Sequence, residues 1–339
     1  DKHKPLWSFH IVENYQQGPV VVSRIHHCYA DGIALIQVLL SMTSTSREKS
    51  LDFHSEESKK EEHQKLGLLK QVINPAKKQF AHSLKLMNEA TEFGKKLLQD
   101  PSLIEKGLGD SVDMVEELFT ALTLSDDPET VYKTELCTRK RVAWAQSLPL
   151  DEVKAIAKAT GTTVNDVLIS NLAGALREYM IERGDNPDEK VIRATVPVNL
   201  RPLKHAKELG NHFGLVFLEL PIFESNPLKR LAYVHNEMNE LKKSKQALMS
   251  LGLLSVIGLA PQAVQTMLLN QFSKKATAVL TNVPGPQVPL YIAGCKVEKT
   301  MFWVPQNGTI GMGISILSYN GQVEFGLIVD KKSVPQPHQ

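Results

Sequence analysis

Two adjacent histidines, followed four and five residues later by aspartate and glycine, form the run His26-His27-Cys28-Tyr29-Ala30-Asp31-Gly32. A β-branched apolar run, Val20 to Ile25, precedes it and a helix-compatible run, Ile33 to Leu40, follows. The histidines therefore fall at a strand end entering a loop, where a rigid scaffold can present groups that do chemistry. Neighbouring side chains in extended backbone point to opposite sides, so one ring faces a cleft and the other the interior. A metal site built from both rings would need a loop that turns them together, and the nearest further ligands are Asp31 and the distant His10. A general base needs one ring alone, and an imidazole, with an ordinary pKa of about 6.5, is mostly neutral near pH 7. His27 is the candidate base. An arbitrary His-His pair is most often structural; the Asp-Gly at this spacing argues for chemistry. Cys28 offers a thiol nucleophile inside the motif, but a small buried packing residue is the simpler reading.

The elements that must hold this loop follow from the punctuation of the chain. Trp7 to Glu13 and Pro19 to Ile25 read as strands joined by a Gln-Gln-Gly turn, and Gly32 to Ser44 as a helix. Residues 45–65 are polar and charged and read as an exposed linker. Beyond them Leu69, Val72, Ile73, Ala76, Phe80, Leu84 and Met87 recur at helical spacing among lysines, with Pro75 breaking or starting a helix. This basic amphipathic stretch is either an ordinary helix packed on the body or one resting on a membrane or lipid-droplet surface. Ala247 to Leu269 is charge-free, but two Gln and a Pro favour a buried or interfacial helical hairpin over a transmembrane span.

The second half reads as sheet-rich, with strand-like segments at Arg141 to Ser147, Val191 to Leu200, Phe213 to Leu220, Ala276 to Asn282, Gly308 to Leu317 and Gln322 to Val329. A helix spans Asp151 to Thr160, closed by Gly161, and Thr163 opens another running to about Arg183. Thr163 with Asp166 three residues on forms a capping box, with Asp in place of Glu, and this suffices to explain Asp166. The glycines of Gly308-Thr309-Ile310-Gly311-Met312-Gly313 sit in a strand pattern and lack the lysine and strand-turn-helix context of a phosphate loop. Asn282-Val283-Pro284-Gly285-Pro286 is a turn for which Pro and Gly suffice. His212 reads as a hydrogen-bonded core residue.

At 339 residues and 42% hydrophobic, the chain can bury large cores and divides naturally into two domains. A net charge of +2 from interleaved cations and anions, without an aromatic-rich basic stripe, gives no support to nucleic-acid binding. Three widely spaced cysteines, Cys28, Cys137 and Cys295, suit a reducing compartment.

His26-His27-x-x-x-Asp31-Gly32 resembles the signature of the CoA-dependent acyltransferase superfamily, which includes chloramphenicol acetyltransferase and peptide-synthetase condensation domains. With Pro5-Leu6-Trp7, Thr163-Val164-Asn165-Asp166, Val196-Pro197-Val198-Asn199-Leu200-Arg201, Gly210-Asn211-His212-Phe213-Gly214 and Thr281-Asn282-Val283-Pro284-Gly285-Pro286, the chain resembles, from Pro5 to about Asp330, the bacterial wax ester synthase/acyl-CoA:diacylglycerol acyltransferase family. The resemblance implies an α/β (α+β) fold of two chloramphenicol-acetyltransferase-like subdomains, each a mixed sheet with flanking helices, around an active-site tunnel. Residues 1–44 would be the end of the first subdomain, its upstream part missing from this sequence, 45–140 a helical linker, and 141–339 the second subdomain, with the family's final helical segment also missing.

The same resemblance makes His27 the base that takes the proton of a fatty alcohol or diacylglycerol as its oxygen attacks the acyl-CoA thioester, giving wax ester or triacylglycerol without an acyl-enzyme. It implies His26 and Asp31 as supports, the aspartate turning from the base to an arginine, for which Arg24 and Arg201 are the candidates; Asp31 is then no triad member. Asn165, in the first helical turn, would bond a substrate carbonyl or the developing oxyanion. Gly32, Trp7, Asp166 and Asn282 complete the candidate substrate contacts, Trp7 as packing residue or lining of the acyl channel. No metal or cofactor is expected, acyl-CoA being a substrate. The expected location is cytoplasmic or peripheral on the inner membrane face or lipid droplets. The competing reading is a catalytically silent lipid-binding or droplet-organising member of the same fold, against which the intact motif argues.

Overall fold

The computed structural model of the protein describes residues 4–16, 18–51, 124–200, 213–244, 246–247, 250–251, 254, 258, 261–306 and 308–338. Strands β1 (Trp7–Tyr15) and β2 (Gly18–Ile25) form an antiparallel hairpin that is a sheet of its own. The pairing runs past the expected turn because a register shift between Val12 and Tyr15 lets Tyr15 face Gly18, with Gln16 taking a left-handed φ of 50°. Trp7, Phe9, Ile11, Val21 and Val22 stay exposed on this hairpin. Helix α1 (Gly32–Ser41) follows the loop and buries Ala34 and Leu40.

The larger sheet begins with β3 (Lys140–Trp144) and β4 (Leu148–Pro149), then continues through helices α2 (Leu150–Thr160) and α3 (Val164–Glu182), strands β5 (Ile192–Asn199) and β6 (Phe213–Leu220), and helices α4 (Pro227–Lys243) and α5 (Gln262–Lys274). The chain goes on through β7 (Ala278–Pro284), the short pair β8 (Tyr291–Ile292) and β9 (Cys295–Lys296), which is a sheet of its own, and β10 (Met312–Tyr319) and β11 (Gln322–Asp330). Seven strands make one mixed sheet in the order β3-β11-β10-β7-β5-β6, with β4 also paired to β11. β7 runs parallel to both β10 and β5, while β6, β11 and β3 pair antiparallel outside them. The carboxyl ends of three central strands therefore share one edge, the edge at which open α/β sheets hold their ligands.

Strand β6 alternates as expected, with Gly214, Val216, Leu218 and Leu220 buried. β10 is buried at nearly every position, the pattern of a central strand covered on both faces. Val153 and Ala157 of α2, Ile169, Ala173 and Met180 of α3, and Leu231 and Val234 of α4 share one core with Leu218, Leu220, Leu280, Ile314 and Ile316 of the sheet. Each Val, Leu, Ile or Met among them contributes about 1.5–3 kcal/mol by leaving water. Gly161 closes α2 in the left-handed region at φ 67°.

The sequence pattern leaves α4 unassigned, although its start is well signalled. Asn226 caps it by accepting from the Leu228 and Lys229 amides, and Pro227 occupies the first turn. The glycine-rich segment is a turn at Gly308 followed by a strand starting at Met312. Gly313 is required by packing, since a Cβ there would stand 2.8 Å from the Val304 carbonyl oxygen. Residues 124–139 also belong to this sheet's surroundings: Asp127 accepts from the Arg193 amide at 2.9 Å and Thr277 Oγ1 at 2.6 Å, and Tyr132 is buried in the core. No helix among the described residues is long and apolar enough to cross a membrane. The amphipathic stretch from Leu69 to Met87 lies outside the described residues, as does much of Ala247 to Pro261.

Candidate active site

The histidine loop starts where the hairpin stops. His26 N–H donates to Leu6 O at 2.8 Å, and beyond it the chain turns, with Tyr29 N–H returning to His26 O at 3.2 Å. The His26 ring is used inside this turn, its Nδ1 accepting from the Cys28 amide at 3.2 Å. His27 is half-buried and sets its ring edge-on to Phe213, with centroids 6.0 Å apart and planes 80° apart. A turn rather than extended backbone thus separates the two rings. Cys28 is exposed, not the buried packing residue expected, because it occupies the outward side of that turn. All three cysteines are free thiols.

Asp31 is buried at 5% exposure and is the N-cap of α1, its Oδ1 accepting from the Ala34 amide at 3.0 Å. It thereby fixes the exit of the loop. Arg24 is exposed on β2 opposite Ser8, and Arg201, Asn211 and His212 lie outside the described residues. Trp7 is exposed, stands across from Ile25, and tilts its ring 5.9 Å from that of Phe9. It sits at the mouth of the hairpin, one residue beyond the Leu6–His26 bond.

Besides the His27–Phe213 pair, Gly32 brings the loop to the large sheet, and residues past α1 meet the separate β8–β9 hairpin. Gly32 opens α1 close to Val283, whose Cγ2 would lie 3.9 Å from a Cβ built on the glycine. Past α1, Ser44 and Tyr291 exchange backbone hydrogen bonds of 2.8 and 2.7 Å, and Ser50 Oγ accepts from the Gly294 amide at 2.8 Å. Val283 follows Asn282, the expected last residue of the strand, and β7 runs on through Val283 and Pro284, which the sequence placed in a turn. Pairing with β10 carries that strand on, to the point where Gly285 N–H donates to Ser318 O.

Asn282 Nδ2 donates to Asn165 Oδ1 at 2.6 Å. Asn165 is the second residue of α3, whose start is the capping box read from the sequence: Asp166 N–H donates to Thr163 Oγ1 at 3.2 Å and Thr163 N–H to Asp166 Oδ2 at 2.9 Å. Asp166 is fully buried, and the same Oδ2 lies 2.7 Å from His235 Nδ1 on α4. The histidine loop thus meets the large sheet at Phe213 and Val283, and Asn282, next to Val283, is bonded to Asn165 at the helix start that Asp166 holds.

Sequence reasoning missed Phe213, Val283 and His235. The first two lie inside blocks already singled out, in which attention fell on His212 and Asn282. His235 lies on the unassigned helix, which the Asn226-Pro227 pair could have revealed.

A half-buried imidazole and a pair of hydrogen-bonded carboxamides at the carboxyl edge of parallel strands fit an α/β enzyme of the acyl-transfer type. Residues 1–168 match the wax ester synthase/diacylglycerol acyltransferase catalytic domain, and residues 209–339 match the WS/DGAT C-terminal domain. A probable diacylglycerol O-acyltransferase of Mycobacterium tuberculosis is 27% identical over 343 residues, covering 99% of this chain and 71% of its own. The O-acyltransferase WSD of Acinetobacter baylyi is 25% identical over 348 residues, with the same two coverages of 99% and 71%. In fold, the chain is similar to the wax ester synthase/diacylglycerol acyltransferase of Marinobacter aquaeolei VT8, with a TM-score of 0.62 at 24% identity over 99% of this chain and 68% of that one. The chain belongs to the wax ester synthase/diacylglycerol acyltransferase family and is an O-acyltransferase.

Proposed function

We propose that His27 is the general base with which this O-acyltransferase moves a long-chain acyl group from acyl-CoA to the hydroxyl of a fatty alcohol or diacylglycerol. The imidazole takes the hydroxyl proton as the oxygen bonds to the thioester carbonyl carbon. The carbon–sulfur bond then breaks, and the proton passes from the imidazolium to the departing sulfur, so CoA leaves as the thiol and the ester remains. The thioester already carries an activated acyl group, so the step asks for neither a metal nor a redox cofactor. Asn165 is the proposed donor to the carbonyl oxygen as charge gathers there. Its Oδ1 is occupied by Asn282, which leaves its Nδ2 hydrogens for a ligand.

The observation that carries this reading is the division of labour within the loop. His26 is used in the turn and Asp31 in the helix cap, while His27 turns its ring toward Phe213 on the neighbouring sheet. Gly32 and Trp7, at the two ends of the loop, are the proposed flanks of the substrate path. Substrates this apolar partition into membranes and lipid droplets, so we also propose peripheral, cytoplasmic-side contact with those surfaces, testable by co-sedimentation with vesicles carrying diacylglycerol.

The test of the base is CoA thiol release from palmitoyl-CoA with hexadecanol or dipalmitoylglycerol, comparing the full-length protein with its His27→Ala variant. Acceptor-dependent release that falls about a hundredfold or more in the variant supports the base, since positioned proton transfer contributes about 10²–10⁴-fold. Equal rates in a folded variant remove His27 from the mechanism, and no release from the parent with any alcohol favours the lipid-binding role.

A further inference from the structure

We propose that His235, far from the motif in sequence and on a different helix, is a positioning residue for the acyl-transfer site, acting through Asp166 on Asn165. The proposal rests on the reading of Asn165 as a substrate contact. His235 Nδ1 lies 2.7 Å from Asp166 Oδ2, and the other ring nitrogen, Nε2, lies 3.0 Å from Asn239 Nδ2. The Asn239 group facing the ring is Nδ2, which can only donate, so Nε2 is the acceptor and Nδ1 carries the hydrogen given to Asp166. Asn239, one turn further along the same helix, therefore selects the tautomer that serves the carboxylate.

Asp166 needs that second donor. Its side chain is fully buried, its Oδ2 also accepts from the Thr163 amide, and its Oδ1 has no hydrogen-bond partner among the described residues. A capping box alone requires neither so deep a carboxylate nor a histidine behind it, and an exposed Asp would cap equally well. Burial instead makes the orientation of the carboxylate depend on His235, because without it the buried group keeps one donor among the described residues, the Thr163 amide, for its two oxygens. The residue carried with it is Asn165, its immediate neighbour in the first turn of α3, which is also held from the strand side by Asn282. The helix start that presents Asn165 is thus clamped from two directions, by β7 and by α4.

The experiment compares kcat and KM for palmitoyl-CoA in the full-length protein and in His235→Asn, His235→Gln, Asn165→Ala and the double variant His235→Gln with Asn165→Ala. An asparagine amide can take the place of Nδ1–H, whereas the longer glutamine places its amide toward Asn239. His235→Asn is expected to keep kcat within about threefold, since its amide can still donate to Asp166. His235→Gln should lose about tenfold in kcat with KM within about twofold, the size expected for one buried hydrogen bond. The double variant should be no slower than Asn165→Ala alone, because the two act through one group. Multiplying effects in the double variant, or a parental kcat in folded His235→Gln, overturn the proposal. If Asn165→Ala itself keeps the parental kcat, the reading of Asn165 fails first, and that result is distinct from slow Asn165→Ala beside a normal His235→Gln. Should His235→Gln not fold, Asn239→Ala frees the ring more gently; about threefold lower kcat is expected, and an unchanged one overturns the proposal.

Discussion

The side chains of Asn282 and Asn165, 117 residues apart in the chain, meet through a 2.6 Å hydrogen bond from Nδ2 to Oδ1. The direction of that bond decides which end of the Asn165 amide is left for a ligand. With Oδ1 engaged, the free end is the donor, which suits a carbonyl oxygen gaining charge. Asn282→Ala is expected to lower kcat about tenfold by freeing the amide to rotate. Asn282→Asp sets an acceptor against Oδ1, so Asn165 must turn round and offer its carbonyl to the substrate. The loss should then exceed that of Asn282→Ala, reaching roughly a hundredfold. Steady-state kinetics of the two folded variants check this, and the reverse order would count against the donor role.

Asp31 supports the motif as a helix cap. Asp31→Ala removes the acceptor for the Ala34 amide and is expected to cost about 1 kcal/mol of stability. Asn caps nearly as well as Asp, so Asp31→Asn should cost clearly less. Urea denaturation of the two variants beside the parent separates a cap from a residue held only by its charge. Equal losses would mean that the cap is not its main contribution.

These two residues also show what the sequence could reveal. Local signals were readable: the Thr163–Asp166 capping box, the left-handed Gly161 and the limits of β6 at Phe213 and Leu220 each rest on a few consecutive residues. The cap at Asp31 has the same local origin, yet it was overlooked because the motif drew attention to chemistry. The bond from Asn282 to Asn165 could not be read at all. It depends on β7 lying between β5 and β10, an order set by packing between distant segments. His235 was hidden for both reasons, lying on a helix whose Asn226-Pro227 start was not used and reaching a partner 69 residues away. Spacing said nothing of the direction in which a turn projects a side chain, which is why Cys28 was expected inside and is found outside.

Gly214, in one of the sequence blocks, owes its identity to the covering of a sheet edge. Among the described residues β6 pairs with β5 alone, and on its other side the Leu215 and Phe217 amides donate to Ser250 Oγ at 2.6 Å and Gln246 Oε1 at 3.0 Å. Side chains thus satisfy an edge that would otherwise invite another strand. The cover lies so close that a Cβ on Gly214 would stand 1.7 Å from Ala247 O, a backbone atom that cannot swing away. Gly214→Ala is expected to cost at least about 2 kcal/mol by overpacking. A thermal melt of the variant at the parental temperature would show that the cover moves freely and that the glycine has another cause.

Asp330, at the end of β11 between β3 and β10, predicts how stability depends on pH. Burial of its side chain pushes the carboxyl up, but the Lys140 ammonium at 2.9 Å, the Lys332 and Cys137 amides at 2.9 Å each and the Cys137 thiol at 3.2 Å together outweigh it. The carboxyl is held at about 2, below the ordinary 3.8. A folded-state value below the unfolded one adds stability that is complete above the unfolded value and disappears as pH falls through the folded one. Asp330 should therefore contribute about 2 kcal/mol from neutral pH down to about pH 5, and progressively less from pH 4 toward pH 2. Asp127 works in the opposite sense: burial raises its carboxyl despite Arg193 and Thr277, so its folded form binds a proton more readily than the unfolded chain. Its contribution falls as pH rises out of the acid range and partly offsets the gain from Asp330 there. Denaturation midpoints of the parent and Asp330→Asn at pH 7, 5, 4 and 3 isolate the first effect. The gap between them should stay constant from pH 7 to 5 and narrow below pH 4, whereas a constant gap down to pH 3 would mean that the charge of Asp330 is not what the surrounding donors stabilise.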